Sequence, residues 1–267
     1  MSKPTIKVKR LVTHTNNTEI IETILQDDVP TFAQCTLQTK KINFLETVEV
    51  AKEKHFHMKS TNSFLVTWAL KLSTWLEEYT SKEDILKEIR IFINDYVDCS
   101  DEFLTMCSYY VFLSYFYRAY EEVPYLRVIW DYGSWKSRLL KTVWNICYSP
   151  TFMNGSASLA SIFRVMEMVK GTFIFGEADL PKSDTSNDLI KILNNGYQKW
   201  MPVFRAEWDD FDPRAFDVYS PKIIWWRMEF TDKATESRCL SEIMKSTKRT
   251  DIKELDKEFE ARSLSIR

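Results

Sequence analysis

The chain has 267 residues, 45% hydrophobic and 28% charged, enough to bury a core in one large domain or two smaller ones. A formal net charge of −2 excludes a whole-chain basic field for nucleic acid, and no apolar run approaches the roughly 20 residues of a membrane helix. Five scattered cysteines without CxxC spacing (Cys35, Cys99, Cys107, Cys147, Cys239) and a polar start at Met1-Ser2-Lys3-Pro4 predict a cytoplasmic protein with reduced thiols. The composition has one oddity, nine tryptophans against five glycines, where glycine is usually about 7% of a chain.

Residues 1–79 read as a β-rich region. Ile6–Val12, Glu19–Leu25, Thr31–Leu37, Ile42–Val50 and Ser63–Leu72 carry β-branched and aromatic residues between polar breaks. Lys52, Lys54, His55, His57 and Lys59 form a modest basic stretch, read as a solvated face, and His55-x-His57 lacks the Cys/His cluster of a zinc site. Residues 80–123 read as helical. Ser81 with Asp84 has the form of a capping box, and Ile85, Ile89, Phe92, Ile93 and Tyr96 fall at helical spacing behind it. Asp101–Tyr120 is apolar nearly all round and predicts a buried helix.

From Pro124 the pattern alternates. A strand at Leu126–Ile129, a helix from Lys136 to Tyr148, a strand at Thr172–Phe175, a helix at Asn187–Asn194, a strand at Lys222–Ile224 and a helix near Asp232–Arg238 predict a parallel sheet covered on both faces. The expected fold is therefore α/β, with residues 124–245 as its core. Residues 246–267, charged and helical in pattern, read as the start of a C-terminal lid.

The stretch Trp130-Asp131-Tyr132-Gly133-Ser134-Trp135-Lys136-Ser137 lies between the first core strand and its helix. It fits Gly-x4-Gly-Lys-Ser/Thr at every position except that both glycines are tryptophan. In such a loop, bare main-chain N–H groups and a helix N-terminus wrap phosphates, here those of ATP. Lys136 would reach the β- and γ-phosphates, and Ser137 would hold Mg²⁺. Phe173-Ile174-Phe175-Gly176-Glu177-Ala178-Asp179 is an apolar strand ending in acid, the form of a Walker B motif. Glu177 occupies the position that polarises the attacking water; Gly176 stands where the metal-supporting Asp belongs, which leaves Glu177 as the carboxylate beside the metal.

These motifs sit among recurring phrases: Pro124-Tyr125-Leu126-Arg127, Lys136-Ser137-Arg138-Leu139-Leu140, Ile146-Cys147-Tyr148, Gly171-Thr172, Ile192-Leu193-Asn194-Asn195-Gly196-Tyr197, Pro221-Lys222-Ile223-Ile224 and Glu236-Ser237-Arg238-Cys239-Leu240. Together they resemble the AAA+-type P-loop ATPase domain of phage- and plasmid-borne helicase-like proteins. The resemblance implies ATP hydrolysis coupled to work on DNA in mobile-element replication, action as a homo-oligomeric ring, and Arg238 as an arginine finger reaching a neighbouring subunit's site. The chain departs from the pattern at Ser220, where the family has glycine, and at Trp225-Trp226-Arg227, where a small or polar sensor residue belongs. A catalytically dead assembly or interaction module is the alternative.

Three readings explain the tryptophans: an accidental motif, a decayed site, or a glycine codon (UGA in some bacterial and phage codes) rendered as tryptophan. The third is favoured. Reading all nine as glycine raises the count to fourteen, about 5% of the chain and near the ordinary level.

Overall fold

The structure is a computed structural model that describes residues 9–74, 81–129, 135–153, 158–175, 184–207, 210–226, 229–244 and 247–267. It divides into two compact units, Met1–Leu76 with Met168–Lys170, and Glu77–Glu167 with Gly171–Arg267.

The first unit is β-rich. It contains β1 (Lys9–Arg10), β2 (Thr13–Thr15), β3 (Glu19–Gln26), β4 (Val29–Thr36), β5 (Lys41–Leu45), β6 (Thr47–Val50) and β7 (Glu53–Phe56). β2-β3-β4-β5 form an antiparallel sheet, and β1-β7-β6 form a second sheet. Two-residue turns with positive φ close the hairpins at Asp27-Asp28 and Ala51-Lys52. Ile21, Phe32 and Val48 form the core, with Leu11, Leu45 and Val50 packed against it. The expected single strand over Ile42–Val50 is two strands, broken at Glu46. The expected strand over Ser63–Leu72 is instead a short helix, α1 (Ser63–Val66), started by Asn62, whose side chain accepts from the Phe64 N–H. An N-cap amide outweighed the β-propensity of Phe64-Leu65-Val66.

The second unit opens with α2 (Lys82–Tyr96) and α3 (Asp101–Phe116). Ser81 caps α2 as the spacing predicts, accepting from the Asp84 N–H at 3.1 Å. Ser100 caps α3 in the same way. α3 buries Phe103, Leu104, Cys107, Tyr110 and Val111, yet leaves Tyr109 and Phe116 more than half exposed.

A five-stranded parallel sheet follows, with β8 (Tyr125–Ile129), β9 (Thr151–Met153), β10 (Phe173–Phe175), β13 (Lys222–Trp226) and β14 (Cys239–Ile243) in the order β14-β8-β13-β10-β9. Strands alternate with α4 (Trp135–Asn145), α5 (Leu159–Val169), α6 (Asp184–Asn195), α7 (Lys233–Glu236) and the C-terminal α8 (Lys257–Ile266); a hairpin of β11 (Val203–Glu207) and β12 (Asp210–Phe216) is inserted after α6.

Side chains alternate across each strand, which assigns the two faces. Leu126 and Val128 of β8 share a core cluster with Phe92, Phe103, Leu139, Val143 and Phe259, from α2, α3, α4 and α8. On the other face the Tyr125 hydroxyl donates to the Leu193 carbonyl of α6, and Arg127 meets Glu236 of α7. A parallel sheet covered on both faces and flanked by helices is the architecture expected for residues 124–245.

Candidate functional site

β8 lies between β14 and β13. The chain leaves β8 for β9 at one edge of the sheet, steps back through β10 to β13, and then passes to β14 on the other side of β8. Connections leaving the neighbouring strands β8 and β13 therefore run in opposite directions. In open parallel α/β sheets, the crevice beyond the carboxyl ends of two such strands is where ligands bind, because the departing loops splay apart there. Ile129, Trp226 and Ile243 are level with one another in the register and mark this rim.

The stretch 130–137 leaves β8 at that rim. Residues 130–134, which include Trp130, Asp131, Tyr132, Gly133 and Ser134, lie outside the described residues, as do Glu177 and Arg227. Trp135 and Lys136 open α4. Ser137 is exposed in its first turn, while Leu139, Leu140 and Val143 bury the inner face of the helix. Phe175, two residues before Glu177, is level with Ile224 of β13. β8 and α4 thus lie on either side of residues 130–134, with the end of β8 at the switch point of the sheet.

Arg138 fixes the start of α4 from outside. Its guanidinium donates to the Lys253 carbonyl and to the Glu254 carboxylate, the latter at 3.1 Å. Lys253 and Arg262 pair in turn with Asp95 of α2 at 3.0 and 2.8 Å, and Phe259 stacks on Phe92. The segment expected to begin a lid includes a helix packed into this core.

Arg238 lies at the other end of the sheet. Its carbonyl accepts from the Tyr125 N–H, one residue before β14 begins. A five-residue strand is about 16 Å long, so Arg238 stands roughly that far from the level of Ile129. Its guanidinium donates to the Asn194 side-chain carbonyl and lies 4.1 Å over the Tyr197 ring. The structure does not bring Arg238 to the rim at the end of β8.

The recurring phrases noted in the sequence meet as structural braces. Arg127, fully buried in mid-strand, forms a forked ion pair with Glu236 and donates to the Ser241 hydroxyl at 2.9 Å, and the arginine holds the Glu236 carboxyl below the usual carboxylate range. Asn194 donates to Asp232 and accepts from Thr235. Lys222, fully buried at the start of β13, donates to the carbonyls of Gly196, Val218 and Ser220 and to the Ser220 hydroxyl, at 2.8–3.0 Å. Ser220 is thus a lysine ligand where the family pattern has glycine. A Cβ on Gly196 would come within 2.5 Å of the Lys222 ammonium and of the Val218 carbonyl oxygen, so the ammonium seat requires glycine there. None of these contacts was foreseen from the sequence. Arg127 within an otherwise apolar strand was the available signal, because a buried guanidinium demands a carboxylate.

No protein-family model and no curated protein matches the chain. Two solved structures of the NrS-1 C-terminal region, both apo, are similar with TM-scores of 0.38 and 0.32 and identities of 11% and 10%. Each match covers 92% of this chain and 64% of that one, so the chain spans less than two thirds of their length. A TM-score under 0.5 does not establish a shared fold.

The tryptophans separate into classes. Trp68 and Trp200 have φ of 59° and 64°, with 67% and 87% of their surface exposed. Bulky residues rarely adopt this left-handed backbone, which glycine enters freely. Trp144 is different: it is buried in α4, within the main core, edge-on to the Phe152 ring at 6.3 Å. Trp225 packs against the same core from β13. Trp75, Trp130 and Trp208 lie outside the described residues.

Proposed function

We propose that this chain is an ATP-dependent motor or remodeller that acts on DNA in mobile-element replication, in the form that carries glycine at positions 130 and 135. The observation that supports the reading is that β8, an inner strand of the parallel sheet, ends at the switch point and that α4 opens at Trp135, so residues 130–134 connect the two.

As written, the loop does not fit a triphosphate. By the spacing of the motif, two indoles would stand where phosphate oxygens must approach bare main chain, and a residue with a Cβ costs roughly 1–2 kcal/mol in the left-handed conformation. With glycine at both positions the donor set fits. Main-chain N–H groups and the α4 N-terminus would hold the phosphates, Lys136 would neutralise charge on the outer ones, and Ser137 would ligate Mg²⁺. The ion supplies charge neutralisation on the transferring phosphoryl group. Glu177 would orient the attacking water, and Arg238 would complete the site of an adjacent subunit in a ring. The positive φ at Trp68 and Trp200 supports the glycine-codon reading at those two positions; the burial of Trp144 does not extend it there.

The second reading, an assembly module with a dead nucleotide site, is favoured by tryptophan at 130 and 135 taken at face value. Phosphate release from MgATP distinguishes the two. The Trp130→Gly, Trp135→Gly double variant is expected to hydrolyse ATP at a rate at least 100-fold, on the order of 3 kcal/mol in barrier, above that of the same chain with Lys136→Ala added. Equal rates for the two would leave the module reading, and UGG codons at 130 and 135 in the coding DNA would remove the glycine-codon explanation.

A further inference from the structure

We draw no further inference here: the strongest candidate, the exposed aromatic patch that Tyr109 and Phe116 form along α3 with Tyr120 beyond its end, is an unpartnered apolar face, and nothing in the structure shows what covers it.

Discussion

A bulky side chain at positive φ carries a local cost that glycine does not, and Trp200 combines that backbone with almost complete exposure. Trp200→Gly removes little packing and relieves roughly 1 kcal/mol of backbone strain, partly offset by the greater freedom of glycine in the unfolded chain. It is expected to leave stability unchanged or raise it by up to about 1 kcal/mol. Trp144→Gly has the opposite sign. It empties a large buried site and places glycine within a helix, which should cost about 3–5 kcal/mol. Urea denaturation of the two variants reads both. A loss above 2 kcal/mol in Trp200→Gly, or no loss in Trp144→Gly, would remove the distinction drawn between these positions.

At the scale of elements, Asp232 shows how a short helix is held. It caps α7, accepting from the Thr235 hydroxyl, the Asn194 amide and the N–H groups of Thr235 and Ala234, and these bonds bring its carboxyl down to about 2. The folded value lies below the unfolded one of about 4, so the contribution is whole above pH 4 and is lost as pH falls toward 2. Asp232→Asn should therefore show a shallower loss of stability than the wild type between pH 4 and pH 2, measured by urea midpoints. Parallel slopes in the two proteins would refute this. The helix start was legible because Asp232 precedes Lys233–Glu236 with the spacing of a cap. Other elements were not legible. β12 contains Pro213, a residue that argues against strand, and the hairpin tolerates it where it pairs with Ala206 beside the register shift at Ala206–Glu207. β9 has three residues, and its place is set by pairing with β10. α5 was legible in principle: Ile162, Phe163 and Met166 recur at helical spacing, and all three are buried.

For the whole molecule, alternation of strand and helix announced a parallel sheet, but strand order did not follow from it. That order depends on which helix covers which face, and Arg127 with Glu236 and Tyr125 with Leu193 fix this through contacts far apart in the chain. The strand before residue 130 and the helix after 134 were identifiable from the sequence, since an apolar run at Leu126–Ile129 is followed by Leu139, Leu140 and Val143 at helical spacing. The division into β5, β6 and β7 was not, because a one-residue break at Glu46 separates what reads as one strand, and β7 is rich in charge.

Arg138 is the residue after Ser137, and its guanidinium grips the main chain at Lys253. Whatever rotates the first turn of α4 therefore pulls on a segment 115 positions further along the chain. Occupancy at the loop would be transmitted as a change in how firmly Lys257–Ile266 is seated against Phe92 and Tyr96. Amide exchange in that segment is expected to slow when nucleotide binds the Trp130→Gly, Trp135→Gly form, and to stop responding once Arg138→Ala cuts the tether. Exchange that slows equally in both would mean that the tail is deaf to the loop.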